Sequence, residues 1–300
     1  MLERLWIYQR ERFPLGALSL LSLMLGAATT MFSALAAGTA APPAGTIAAA
    51  AASALLVFLQ MRILDEFKDF EDDARFRPYR PVPRGLVSIS ELRGVLAAAA
   101  LAQLAIALAV DLRLLWLLAA LWGYLFLMTM EFFVREWLRA RPFAYIASHN
   151  PFGALIALYA SAFEWLPRSG EPQPALALLA LVALFDTSLL EIGRKIRAPR
   201  DEEPGVVTYS GVWGRPTAAG AWLGVFFLVV VLGWLAARQT GYGAVFAALM
   251  APLGVAAGIV CWRYLQEPET RRAKAIEGLS GVATLVLYAA LGPVPLLLQA

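Results

Sequence analysis

The chain has one cysteine and one histidine in 300 residues. A lone cysteine, Cys261, excludes any disulfide within the chain, and its apolar surroundings make an inert structural thiol the default reading. A lone histidine, His149, excludes every metal site built on two or more imidazoles. Charge is scarce as well: Asp, Glu, Lys and Arg make up 16% of the residues, against about a quarter in soluble domains. No low-complexity linker and no long polar insertion interrupts the chain, so a soluble domain is not expected. Nucleic acid is not among the expected partners.

Apolar residues are abundant instead, at 60%. Runs near the roughly 20 residues that cross a bilayer recur along the whole length. We read nine: 15–37, 46–64, 92–110, 112–132, 143–163, 175–192, 218–237, 242–264 and 275–298. The fold class expected is therefore all-α and integral to a lipid bilayer. The apolar region of the first run is longer than the roughly 7–15 residues of a signal peptide, so it is expected to stay as a span.

The basic residues support this count. With a cytoplasmic N-terminus, the outward connections hold only Arg113, Arg168 and Arg238. Every other lysine and arginine falls at the N-terminus or on the inward side, as the positive-inside rule requires. A multi-pass protein of the plasma or inner membrane is expected, with its C-terminus outside. Outward connections such as the Pro42-Pro43 turn are short and poor in charge. The inward ones, 65–93, 131–141, 191–215 and 263–274, are crowded with ionisable groups. Chemistry is expected on that inward face.

The richest of these loops begins at the end of the second run and reads DEFKDFEDDARFRPYRPVPRG. A charged loop that only sets topology is the ordinary explanation, but it does not account for the order of residues. Asp65, Asp69 and Asp73 recur every fourth position, which stacks three carboxylates along one helix face. At about 5.4 Å per turn, neighbouring carboxylates are close enough to share a hydrated Mg²⁺ and a diphosphate. Arg77, Arg80 and Arg84 supply forked donors for phosphate oxygens. Pro78, Pro81 and Pro83 stiffen the segment and cut the entropy lost on binding.

This run resembles the first signature of the UbiA superfamily of intramembrane prenyltransferases, an NDxxDxxxD motif followed by R-P-x-P-x-G. It stands here as Leu64-Asp65-Glu66-Phe67-Lys68-Asp69-Phe70-Glu71-Asp72-Asp73, then Arg80-Pro81-Val82-Pro83-Arg84-Gly85. All three aspartates match, and Leu64 replaces the asparagine. The loop 191–214 resembles the second family motif more loosely, through Glu191, Asp201, Glu202, Ser210 and Gly214. Lys195 stands where that motif has its central aspartate, and an ammonium cannot ligate Mg²⁺. A second reading of this loop is that Arg194, Lys195, Arg197 and Arg200 grip the diphosphate directly, supplying the charge a second metal supplies elsewhere. The stretch Glu131–Arg135 lies where the family often has YxxxK, with Arg135 as the cation. His149-Asn150 at the start of the fifth run suits either a polar cavity or a helix cap.

The resemblance implies a bundle of nine helices around a central cavity. It forms one membrane domain over residues 1–300, and the two similar loops hint at a duplication of spans 1–4 and 5–8 with a ninth helix added. It implies Mg²⁺-dependent transfer of a polyprenyl group from an allylic prenyl diphosphate to an aromatic or other lipophilic acceptor. Asp65, Asp69 and Asp73 would be catalytic. Those three with Glu191, Asp201 and Glu202 would hold metal. Arg77, Arg80, Arg84, Arg135, Arg194, Lys195 and Ser210 would hold the diphosphate. A membrane terpene cyclase using the same ionisation is a second reading. A transporter or lipid-binding bundle is a third, against which the span interiors hold few charges where transporters usually place polar groups. The acceptor, the donor chain length and the oligomeric state are not fixed by these motifs.

Overall fold

The computed structural model describes residues 2–299. Among them there is no strand, and the order of helices is α1 Leu2–Arg12, α2 Leu15–Ala36, α3 Ala44–Lys68, α4 Phe70–Phe76, α5 Ile89–Val110, α6 Leu114–Thr129, α7 Arg135–Arg139 and α8 Pro142–His149. Then come α9 Pro151–Arg168, α10 Leu176–Arg194, α11 Tyr209–Val212, α12 Arg215–Gln239, α13 Gly243–Gln266, α14 Thr270–Leu291 and α15 Pro293–Leu297. Where side chains end a helix, they do so by ordinary capping. Ser88 Oγ accepts from the Glu91 amide at 3.2 Å while Glu91 Oε2 accepts from the Ser88 amide at 2.9 Å, a closed capping box that opens α5.

Among the described residues seven helices are long and apolar enough to cross a membrane: α2, α3, α5, α10, α12, α13 and α14. The other two expected spans differ from the continuous runs of the sequence. α6 is apolar but stops at Thr129, short of the residue 132 expected, because Glu131, Phe132 and Phe133 take left-handed backbone. The run 143–163 is divided into α8 and α9 at Asn150. Pro151 has no amide hydrogen to continue the ladder, which breaks there. Length and apolar composition alone therefore do not reach nine.

Contacts divide the chain into two compact units. The first holds residues up to Thr30, Pro42–Phe152 and Tyr159–Pro172; the second holds Met31–Ala41, Gly153–Leu158 and the chain from Gln173 onward. In the first unit α3 packs on α5 and α6. Gly26 of α2 lets that helix touch α3, since a Cβ there would stand 2.6 Å from the Ala51 amide nitrogen. Gln60 donates to Gln103 at 2.9 Å, Trp122 donates to Gln60 at 3.0 Å, and Gln103 donates to the Ser53 carbonyl at 3.2 Å. Ser53 and the Tyr159 hydroxyl share a bond at 3.0 Å. Each of these groups would cost several kcal/mol unpaired in hydrocarbon (roughly, by the cost of an unsatisfied polar group). The network therefore fixes how α3, α5, α6 and α9 meet.

In the second unit α10 packs on α12 and α14, and α13 packs on both α12 and α14. The Trp222 indole donates to Ser280 Oγ at 2.8 Å, and Thr284 donates to Asp186 Oδ1 at 2.8 Å. Both bonds are buried between helices.

Candidate functional site

The stacking expected from sequence is present in the first unit. Asp69 closes α3 and opens α4. Its amide donates to the Asp65 carbonyl at 2.9 Å, the Asp73 amide donates to the Asp69 carbonyl at 2.8 Å, and the Arg77 amide to the Asp73 carbonyl at 2.9 Å. The α3–α4 junction thus keeps a four-residue rise, and the three aspartates occupy consecutive turns.

Their partners differ. Asp65 Oδ2 accepts from Arg62 Nη2 at 2.7 Å, with Lys68 Nζ 3.7 Å from its other oxygen. Asp73 is buried beneath three guanidinium groups: Arg77 Nη2 at 2.7 Å, Arg80 Nη1 at 2.5 Å and Arg12 Nη2 at 3.9 Å. Arg12 also holds buried Glu66 at 2.5 Å, so the N-terminal helix is tied to α3 and α4 by one side chain. No hydrogen bond or ion pair engages the Asp69 carboxylate among the described residues. Burial, chiefly, holds its pKa above the usual carboxylate value; Asp65 and Asp73 add to the rise, while Lys68 and Arg77 oppose it.

The RPVPRG segment is a set of turns anchored from below. The Arg84 amide donates to the Arg80 carbonyl and the Leu86 amide to the Pro81 carbonyl, at 3.0 and 2.9 Å. Gly85 sits at φ +76°, a conformation that side chains disfavour. Val82 and Val87 are buried against Tyr8, Ile63 and Leu92. Arg84 turns to Glu11 at 2.8 Å, and Arg135 reaches Asp72 at 3.3 Å beside Arg139. Next to Asp65 in the chain, Leu64 lines a cavity of about 190 Å³ together with Leu96, Trp122, Phe126 and Thr129.

In the second loop Glu191 and Glu202 are taken up by neighbours. Glu191 holds Lys195 Nζ at 2.8 Å and the Arg194 Nε at 2.7 Å. Glu202 accepts from Thr208 at 2.6 Å and from Ser210 at 2.8 Å. Ser210 in turn accepts from the Arg197 amide at 2.8 Å, and Thr208 caps α11. Lys195 Nζ lies over the Tyr209 ring, 5.4 Å from its centre. Asp201 ends a single 3₁₀ turn, Pro199–Asp201, half-buried. Among the described residues no three acids, histidines or cysteines stand close enough together to hold a metal ion.

An all-helical chain with apolar spans and a stacked aspartate motif has a match among known families. The model of the UbiA prenyltransferase family matches residues 26–297. The chain belongs to this family. It is an integral, multi-pass membrane protein of the prenyltransferase class, with a UbiA-like helical fold. The fold is shared with a digeranylgeranylglyceryl phosphate synthase structure at a TM-score of 0.64 and 15% identity, covering 98% of this chain and 99% of that one. It is shared too with the apo structure of a UbiA homolog from Aeropyrum pernix K1, at 0.70 and 14%, covering 91% and 96%. No curated protein matches this chain in sequence.

Sequence reasoning did not single out Arg12, Arg62 or Lys68, which neutralise the motif acids. Arg62 and Lys68 stand three residues either side of Asp65, a spacing that pairs side chains on a helix and was there to be read. Arg12 lies 54 residues from Glu66 and carries no local signal.

Proposed function

We propose that this UbiA-family protein transfers a polyprenyl group from an allylic prenyl diphosphate to a lipophilic acceptor, with Mg²⁺ held by Asp65 and Asp69. One observation carries this reading: two carboxylates on consecutive turns, one of them without a partner and flanked by acids, beside an arginine cluster. The donor set is hard oxygen, which suits Mg²⁺, an ion usually bound by one or two carboxylates plus substrate phosphates. Asp73 belongs to the same motif, and its oxygens bear Arg77 and Arg80.

Mg²⁺, when bound, offsets charge on the departing diphosphate. The residues of the chain do the rest. Arg77 and Arg80, oriented by Asp73, present guanidinium forks to the phosphate oxygens. Arg135 and Arg84 extend that surface from their places on Asp72 and Glu11. In the second unit Arg194 and Lys195, held on Glu191, are proposed as a further cationic group for a diphosphate, with Asp201, Glu202 and Ser210 shaping that loop. The cavity beside Leu64 accepts the first part of the apolar tail, where water that would quench an allylic cation is excluded. The inward orientation of these loops in a plasma or inner membrane is part of the same proposal, as is the lipid bilayer as source of both substrates.

The test is diphosphate release by purified protein from a panel of prenyl diphosphates, with and without Mg²⁺, beside the D69A variant. Metal-dependent release that falls at least about 100-fold in D69A supports the reading. Release that ignores both metal and Asp69 overturns it. Mass spectrometry of the lipid product then separates transfer from cyclisation.

A further inference from the structure

The only histidine sits in a cluster that the diphosphate chemistry leaves unused. Between α6 and α7, Glu131, Phe132 and Phe133 all adopt left-handed backbone, with φ of 49°, 51° and 62°. For side chains of this size that conformation costs of the order of 1–3 kcal/mol per residue, and such strain gathers at functional sites. It turns the Glu131 carboxylate inward, 5% exposed, with Oε1 3.3 Å from Lys68 Nζ. Its other oxygen, Oε2, is 3.6 Å from His149 Nε2, too far for a hydrogen bond. Both of these atoms are buried and neither has a hydrogen-bond partner.

The tautomer follows from the other side of the ring. His149 Nδ1 lies 3.0 Å from both the Tyr145 carbonyl and Ser148 Oγ, and the Ser148 hydroxyl gives its own hydrogen to that carbonyl at 3.0 Å; two acceptors thus face Nδ1, which places the ring hydrogen there and leaves Nε2 as an acceptor. The ring is fixed by stacking on Tyr145, with centres 3.9 Å apart, and by the edge of Phe132 at 5.6 Å. Two buried acceptors facing each other without a hydrogen between them form a site for a donor. An imidazole whose Nε2 is bare is neutral and able to accept a proton.

We propose that Glu131 Oε2 and His149 Nε2 together bind the hydroxyl hydrogen of the acceptor, and that His149 is the base that removes it during transfer. The proposal rests on the prenyl-transfer reading and adds the acceptor's class: a compound with a nucleophilic O–H, rather than one attacked at carbon. The acceptor oxygen's lone pair forms the bond to the allylic carbon as that carbon's bond to diphosphate breaks. The electron pair of the broken bond leaves on the diphosphate. The O–H proton passes to Nε2, and the Glu131 carboxylate offsets the imidazolium that results. A trapped water is the other donor of the right size.

Because His149 is the only histidine, its ring carbon signal in the full chain is a unique NMR probe. It is titrated between about pH 5 and 8 alone, with phenol, and with anisole, which differs by lacking the O–H. Phenol is expected to shift the signal and its midpoint, and anisole to leave both unchanged. E131Q is expected to lower the midpoint, since the imidazolium loses its carboxylate. No response to phenol, or an equal response to both probes, marks a trapped water only and overturns the proposal. In transfer assays with geranylgeranyl diphosphate and phenol, H149Q is expected to lose at least about 100-fold in rate. Its affinity for inorganic diphosphate should stay unchanged. The wild-type rate should fall as the pH drops through the His149 midpoint, and that limb should move to lower pH in E131Q. Unaltered transfer by H149Q also overturns the proposal. Absence of diphosphate release by the wild type instead counts against the prenyl-transfer reading, and the NMR comparison still decides whether the pair binds a hydroxyl.

Discussion

At the end of α3 the chain leaves the Asp69 carboxylate open, whereas after α10 Glu191 and Glu202 are both closed by partners. Asp65, Asp69 and Asp73 climb three turns, and among the described residues the carboxylate of the middle one has no hydrogen-bond or ion-pair partner. Glu191 carries two cations on one face of α10, and Glu202 accepts two hydroxyls. The same ingredients, acids and basic residues after an apolar helix, give two electrostatic characters. On the proposed reading the first loop takes up a cation and the second presents one. In that reading Lys195 makes the difference, because it stands where the family motif has an aspartate and an ammonium cannot ligate a metal.

Removing Asp69 is the strongest way to break this contrast. Asp69→Asn is expected to cut prenyl transfer by about 100- to 1000-fold, as loss of a main charge-stabilising contact does. Glu191→Gln is expected to cost about tenfold or less, since Arg194 and Lys195 remain. Equal losses in the two variants, measured as diphosphate release at saturating Mg²⁺, would make the loops alike and sink the contrast.

Charge reversal at Lys195 probes the second loop. Lys195→Asp is expected to weaken inhibition by inorganic diphosphate by about tenfold, the size of one charge-assisted contact. A folded variant inhibited as well as the wild type would show that Lys195 never meets the diphosphate. A gain in Mg²⁺ affinity in the same variant would sharpen the comparison, because it restores an acid where the family motif has one.

Glu202 separates architecture from chemistry in that loop. Glu202→Gln keeps the shape but weakens the bonds from Thr208 and Ser210 that hold the start of α11. A loss of about 2 kcal/mol in unfolding free energy is expected, from two hydrogen bonds to a charged acceptor. Diphosphate inhibition should change little. A variant of unchanged thermal stability that binds diphosphate poorly would move Glu202 from scaffold to site.

Much of the first loop was legible because its logic is local. A four-residue period of aspartates survives the α3–α4 junction, and prolines with a glycine foretell the turns of RPVPRG. The counter-charges were not all legible, since Arg12 arrives from a helix far away in sequence and Val82 finds Tyr8 and Ile63 only in three dimensions. The fifth apolar run was read as continuous, although Pro151 announces the break; its apolar length outweighed one residue's missing hydrogen. The left-handed stretch at Glu131–Phe133 has no sequence signature at all. Glutamate and phenylalanine avoid that conformation, so only tertiary contacts can hold them there.

The smallest expected effect distinguishes arginines within the first loop. Arg80 and Arg84 bracket the same Pro-Val-Pro turn, and sequence assigns both to the diphosphate. Arg80 is largely buried on Asp73, whereas Arg84 is exposed and bound to Glu11. An exposed ion pair contributes about 0–1 kcal/mol, so Glu11 costs little to leave, and Arg84 is free to swing toward a ligand but gains little by arriving. Arg80 is held in place by a buried carboxylate, so less rotamer freedom is lost when a phosphate oxygen meets it. Arg84→Gln is therefore expected to weaken diphosphate inhibition by less than about threefold, and Arg80→Gln by about tenfold. The reverse order would mean that the Asp73 cluster is scaffold and that the mobile outer arginine does the binding.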